Sequence, residues 1–441
     1  MNRGIVLLLA LSGCALGQQP ASSNPPPALK LTLKDAVNLA LKQNPQVILA
    51  TLNTGQAQQE RQIARSGLLP QANGRIQETV NRVNLEAAIG LTFPNFPQHV
   101  GPYWVSQGGV GFSAPILDLT LWRRYKATQY GIEASRAGEA NAREESVLLV
   151  VSQYLGSQRA AADVQAAQSR VDLAQALYNQ AADLQKTGVG TGIDTLRANV
   201  ALQNEKQRLI VAQTQLETSL FGLVRLLNLD PRQRVELADP VTFFDTPQVN
   251  LDQSLEAAWK SRPELQRILS EEQRAEVNLQ AAGDQRLPRL TVTGFWAEQG
   301  LTPASAIPVY QYQWGLDFPI FTGGRIRAER AQSEIAIRQL KQQEQDLRNR
   351  IVFEVKTAAA EVASARNEVD VANLGVQLAR QQVEQSRDRF QAGVTNNVEV
   401  IQAQDDLARA NDNQIGALYR FNQSRADLAR SIGQMEALYA R

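Results

Sequence analysis

The residues able to make or break bonds are few, and their placement does not suit catalysis. The one histidine, His99, lies in the run Phe93-Pro94-Asn95-Phe96-Pro97-Gln98-His99, which reads as an exposed loop. A Ser/His/Asp grouping cannot be built on a histidine placed there. The one cysteine, Cys14, removes cysteine-nucleophile chemistry and any disulfide within the chain, and with one histidine it leaves metal sites without their usual ligands. Gly323-Gly324 is followed by Arg325, where a phosphate-binding loop needs a lysine. The acidic pairs Glu144-Glu145 and Asp405-Asp406 read as solvated helix faces and not as paired catalytic acids. These positions point to no enzyme, no cofactor and no metal.

The elements that carry them are long and repetitive. The 441 residues are 43% hydrophobic but only 6% aromatic, and Ala, Gln, Leu, Arg and Glu dominate long stretches, as in extended helices. A net charge of +1 gives no pull toward nucleic acid. Met1-Asn2-Arg3 followed by the apolar run Ile5 to Leu11 reads as an export signal, with two processing readings. Leu11-Ser12-Gly13-Cys14 fits a lipobox, which would make 1–13 the signal and lipidate Cys14; Ala15-Leu16-Gly17 fits cleavage before Gln18, which would make 1–17 the signal. Residues 18–30 read as a flexible lead-in. No later segment has the roughly 18–20 consecutive apolar residues of a membrane helix, so any membrane crossing must be made by a closed barrel.

The chain repeats itself. Leu33-Lys34-Asp35-Ala36 and Leu251-Asp252-Gln253-Ser254, Asn44-Pro45 and Arg262-Pro263, and Leu69-Pro70 and Leu287-Pro288 are all separated by the same 218 residues. Ala114-Pro115 and Phe318-Pro319 follow at a step of 204, so the first half carries 14 extra residues, and Gly188 and Gly393 follow at 205. The expected organisation is a first repeat over 31–230 with a β-hairpin at 71–115, a linker over 231–249, a second repeat over 250–436 with a hairpin at 289–319, and a tail over 437–441. Each repeat reads as a helix of about 30 residues, the hairpin, a helix of about 70 and a returning helix of about 40, so the long rod of about 100 Å is matched by the two shorter helices end to end. Residues 125–186 lack proline, and Val147, Val151, Tyr154, Leu155, Val164 and Val171 recur at helical spacing. The prolines stand where the period changes, because the ring removes a donor and disfavours helix before it.

The hairpins indicate the solvent. Tyr310, Tyr312, Trp314, Leu316 and Phe318 alternate with Gln311, Gln313, Gly315 and Asp317, and Val110, Phe112 and Ala114 alternate with Gly109, Gly111 and Ser113. Rods of such length leave no globular core for the apolar side, so lipid is the expected partner. Four strands cannot close a barrel, eight give an interior that side chains fill, and twelve from three chains leave a passage.

Here the sequence resembles the TolC-like outer-membrane efflux proteins. Leu33, Ala36, Ala40-Leu41 and Asn44-Pro45 follow that family's opening pattern; Pro319-Ile320-Phe321-Thr322-Gly323-Gly324-Arg325 follows its strand-to-helix junction; Phe390-Gln391-Ala392-Gly393-Val394 follows its tip motif. The second opening copy has Ser254 and Arg262 in place of Ala and Asn, and Pro115-Ile116-Leu117-Asp118 lacks the double glycine. The resemblance implies a mixed α and β fold of coiled-coil rods and two hairpins per chain, trimerising into a twelve-strand membrane barrel continuous with a twelve-helix periplasmic barrel. It implies a passive efflux or secretion duct in the outer membrane, a homotrimer in contact with outer-membrane lipid and with a periplasmic adaptor (membrane-fusion) protein, which links it to an inner-membrane pump. A periplasmic coiled-coil scaffold and a lipid-anchored surface protein are the alternatives. The implied gate falls at Glu399, six residues after Gly393, with Asp194 at the same step after Gly188; Gln402 stands where a second acid is common, and Thr395 where a basic lock is usual. Three such acids round a narrow axis would favour cations. Gly188-Val189 and Gly393-Val394 are the expected docking tips, since glycine allows a tight turn and close approach.

Overall fold

A computed structural model of the chain describes residues 28–85, 87, 90, 97–188, 190–239, 250–392, 394 and 397–440. Cys14 and the expected export signal lie outside the described residues, as do Val189, Gly393 and Thr395.

The first helical stretch is broken by its own proline. Thr32 caps α1 (Leu33–Gln43), its hydroxyl accepting from the Asp35 amide at 3.1 Å. Pro45 then opens α2 (Pro45–Ser66), where its missing N–H is no loss. The second repeat does the same with α5 (Leu251–Ser261) and α6 (Pro263–Asp284), so each expected 30-residue helix is two helices in series. Between these pairs stand the rod α3 (Leu119–Lys186) and the returning helix α4 (Gly192–Leu226), followed later by α7 (Arg325–Gln391), α8 (Asn397–Ser431) and the short α9 (Met435–Tyr439). At 68 and 67 residues, α3 and α7 are each about 100 Å long. α1, α2 and α4 lie along α3, and α5, α6 and α8 lie along α7, while α3 also packs on α6 and α8 and so joins the two halves.

The strands β2 (Gln71–Asn84), β3 (His99–Leu117), β5 (Arg289–Gly300) and β6 (Ile307–Asp317) form one antiparallel sheet in the order β2-β3-β5-β6. His99 is therefore the first residue of a strand and not a loop residue; it pairs with Asn84 and its Nε2 lies 3.2 Å from Arg82 Nη2.

One expectation fails at the waist of the molecule. The rods do leave a core, because β1 (Leu29–Leu31) pairs in parallel with β4 (Val235–Leu237) from the stretch expected to be linker. Leu31, Val37, Tyr154, Leu223, Leu227 and Met435 are fully buried there together. Each such side chain contributes about 1.5–3 kcal/mol on burial, so this cluster pins both repeats where α1, α3, α4 and α9 meet. The Tyr154 hydroxyl donates in a shared fashion to the Leu31 carbonyl and Asp239 Oδ2, both at 3.0 Å, and burial raises its pKa. Glu144, expected to be solvated, is buried: its carboxylate accepts from the amides of Met435 at 2.8 Å and Glu436 at 3.2 Å, at the exposed donors of the α9 N-terminus.

Candidate conduit wall and helical tips

Directly paired residues of antiparallel strands share a face, so the register assigns both sides of the sheet. On one side the rows run Trp314-Val292-Ala114, Tyr312-Gly294-Phe112-Ala72 and Tyr310-Trp296-Val110-Gly74, with Ile76, Val80 and Trp104 further along. On the other they run Gln313-Thr293-Ser113-Gln71, Gln311-Phe295-Gly111-Asn73 and Ile307-Gln299-Gln107-Gln77. The apolar side is bare: Trp314 is 72% exposed, Tyr310 69% and Ile76 92%. Leaving such a side chain in water forfeits about 2 kcal/mol, and among the described residues no helix packs on this face. Strands of 11 to 19 residues meet or exceed the 9–11 needed to cross hydrocarbon.

Two glycines set how close the strands lie. A Cβ on Gly294 would stand 2.6 Å from the Phe112 ring and 2.7 Å from the Tyr312 ring, which pack over it with centroids 6.1 Å apart. A Cβ on Gly109 would stand 2.4 Å from both the Trp296 carbonyl oxygen and Ala297 Cβ.

The opposite end of the rods holds the tips. Gly188 ends the first rod with φ +79°, a conformation that L residues rarely adopt, while a Cβ there would meet nothing within 4 Å; the demand is therefore on the backbone, not on packing. Beyond it the Gly190 amide donates to the Leu184 carbonyl at 2.9 Å. At the second tip the Val394 amide donates to the Arg389 carbonyl at 3.0 Å, and the Val394 side chain is 69% exposed.

Of the acids expected at the aperture, Glu399 accepts from Arg389 Nη1 at 2.8 Å. Asp194 sits in the first turn of α4, accepting from the Thr191 hydroxyl, with Arg197 Nη1 3.8 Å away. Gln402 Nε2 reaches Asp406 Oδ1 at 3.5 Å, and hydrogen bonds from Arg409 and Gln382 hold the Asp406 carboxyl below the usual carboxylate range. Glu399 and Gln402 thus share one helix face with Asp406, while Asp194 belongs to the other coil.

Sequence reasoning passed over two residues here. Arg389 lies ten residues before Glu399, across the tip glycine, and that spacing was the available signal. Arg170 on α3 donates from Nη1 to both Asp412 oxygens at 3.0 Å and approaches Glu205 Oε2 at 3.7 Å, joining α3, α4 and α8 beside a cavity of about 60 Å³. Partners 242 residues apart leave no trace in local spacing.

Comparison with known proteins agrees with this geometry. Two relatives from Pseudomonas aeruginosa align: the pyoverdine export outer membrane protein OpmQ, 23% identical over 87% of this chain and 81% of its own, and the alkaline protease secretion protein AprF, 23% identical over 89% and 82%. The Campylobacter jejuni CmeC outer membrane channel has the same fold, with a TM-score of 0.80 at 19% identity over 91% of this chain and 85% of that one. The profile of the outer membrane efflux protein family matches residues 36–229 and 254–434, one match in each half. The chain belongs to the outer membrane efflux protein family.

Proposed function

We propose that this chain is the outer-membrane component of an efflux or secretion system, a passive conduit carrying small molecules or secreted substrates outward. The observation that carries the reading is the two-faced sheet: an uncovered aromatic face on one side and a lining of Gln, Asn, Ser and Thr on the other. Its edge strands β2 and β6 present unpaired backbone groups, which hydrocarbon does not tolerate. Three copies joined edge to edge give twelve strands, the smallest closed ring with a passage among multiples of four. The paired coils α3–α4 and α7–α8 then continue the wall as a helical tunnel. In this reading residues 31–230 and 250–436 act as two repeats, a signal of 1–17 or 1–13 is removed, and Cys14 is the lipidation site in the second case.

The tips are the docking surface for a periplasmic adaptor that links the duct to an inner-membrane pump. Gly188, Val189, Gly393 and Val394 are the contact positions, and Glu399, Asp194 and Gln402 line the aperture. Transport needs no bond-making residue, which fits the scattering of His99, Glu144 and Asp406 over unrelated places.

Membrane extraction and planar-bilayer recording test the reading. The expected result is a protein released only by detergent, migrating as a heat-dissociable oligomer and forming ohmic pores. A water-soluble monomer without conductance would overturn it.

A further inference from the structure

On the polar face of the sheet Arg75 has no acid in its own row or in the rows on either side, among the described residues. Arg75 pairs across β3 with Gly109, which in turn pairs with Ala297 and then Val309. The rows on either side of it on this face hold Asn73, Gly111, Phe295 and Gln311, and Gln77, Gln107, Gln299 and Ile307. None of these is acidic. The acids Glu78 and Glu298 belong to the opposite face, because they pair with Ser106 and with Gly108 and Pro308. Asp317 shares the polar face but lies opposite Arg289, eight residues down the strand from Ala297, roughly 27 Å away along it. Arg75 is exposed and forms no ion pair among the described residues.

Gly109 brings no side chain to it and has no room for a Cβ, since that place is taken by the Trp296 carbonyl and Ala297. The cross-strand partner therefore supplies no counter-charge to the exposed guanidinium and its fork of donors. The strand that a neighbouring copy would set against β2 is β6, whose polar face carries a single acid, Asp317, at its base.

We propose that Arg75 makes the barrel an anion-selecting passage whose favoured cargo is a solute bearing carboxylate, sulfonate or phosphate. The inference rests on the channel reading, in which the polar face lines the lumen and three copies bring three guanidinium groups to one level. A charge on a low-dielectric wall focuses field into the lumen, and a planar fork of N–H groups suits an oxyanion. At the tip, the acid that would favour cations, Glu399, is held by Arg389. Screening beyond about 8 Å at physiological salt makes this a bias on passing ions, stronger at low salt.

Reversal potentials under a potassium chloride gradient test the idea in planar bilayers. Wild type is expected to favour chloride, with the preference falling about twofold or more in Arg75→Gln, kept in Arg75→Lys and inverted in Arg75→Glu. Inorganic pyrophosphate added on the barrel side is expected to reduce wild-type current and to act more weakly on Arg75→Gln. Conducting wild type with no pyrophosphate block overturns the proposal even if a variant fails to insert, and so does an unchanged permeability ratio in Arg75→Gln. Absence of any wild-type conductance would instead remove the channel reading on which it rests.

Discussion

Arg389 Nη1 and Glu399 Oε1 stand 2.8 Å apart, an ion pair between the end of α7 and the start of α8. The side chains are 56% and 34% exposed, so the pair contributes little to stability, about 1 kcal/mol or less. Its effect is on the charge offered to the aperture. Removing the cation in Arg389→Ala is expected to strengthen block by cobalt hexammine added from the tip side roughly tenfold, equivalent to about 1.4 kcal/mol. Glu399→Ala should remove most of that block. If neither variant changes the blocking concentration, Glu399 does not face the passage.

The two repeats make one contact with different chemistry. Asn44 Nδ2 donates to the Leu226 carbonyl at 2.9 Å, and Arg262 Nη1 donates to the Ser431 carbonyl at 3.1 Å, each at the end of a returning helix. Arg262 also pairs with Glu264 at 3.2 Å and Glu354 at 2.6 Å while its side chain is only 4% exposed. Asn44→Ala loses a cap and one hydrogen bond, an expected 1–2 kcal/mol, roughly. Arg262→Ala removes the Ser431 bond and both ion pairs, but Glu264 keeps Arg430 and Glu354 is 37% exposed, so the expected cost is about 2–3 kcal/mol. Thermal unfolding followed by circular dichroism in detergent distinguishes them; equal losses would show that the arginine network adds nothing.

Glu264 gives the stability a pH dependence of known sign. Burial pushes its carboxyl upward, but the hydrogen bond and charge of Arg430, helped by Arg262, outweigh burial and hold it below the usual range. A lowered folded value means the stabilisation is present above the unfolded pKa of about 4.3 and is lost as pH falls through the lower folded value. Asp427, raised by burial with Glu361 opposing its charge, works in the opposite sense, so the informative quantity is a difference between proteins. Glu264→Gln is expected to melt below wild type at neutral pH and to converge on it as pH falls from about 4.3 through the lowered folded value. A constant gap between the two curves down to the acid end would exclude this assignment.

The strand glycines differ in what can yield. The atom nearest a new Cβ at Gly109 includes the Trp296 carbonyl, which is backbone, whereas at Gly294 the obstacles are the rings of Phe112 and Tyr312. Gly109→Ala is therefore expected to reduce the heat-dissociable oligomer severely, and Gly294→Ala only partly, since rings can turn. Band intensities on unheated gels measure both, and a milder effect at Gly109 would mean that the sheet spreads there.

Much of the architecture was legible in the residues. Pro70 and Pro288 directly precede β2 and β5, because a proline acts on its immediate neighbours, whereas Pro115 lies inside β3, which runs on to Leu117, and Pro319 lies in the link between β6 and α7. The alternation around Tyr310 to Leu316 assigns a face from the sequence alone, because strand geometry has a period of two. The split at Asn44-Pro45 was present in the pattern but read as a helix continuing through it. The waist escaped notice because Leu29–Leu31 and Val235–Leu237 are three residues long and have no period to display.

By itself the sequence determined the lengths of the rods, the junctions, the duplication and the two unlike faces of the strands, all of which follow from steric rules acting over a few residues. The tertiary structure alone decided which distant charges meet: Arg389 with Glu399, Arg170 with Asp412, Glu144 with the amides of α9, and Arg75 with no acid among the described residues. Those outcomes depend on the axial stagger of one helix or strand against another, and that stagger is set by packing summed over the whole interface and by no single neighbouring residue.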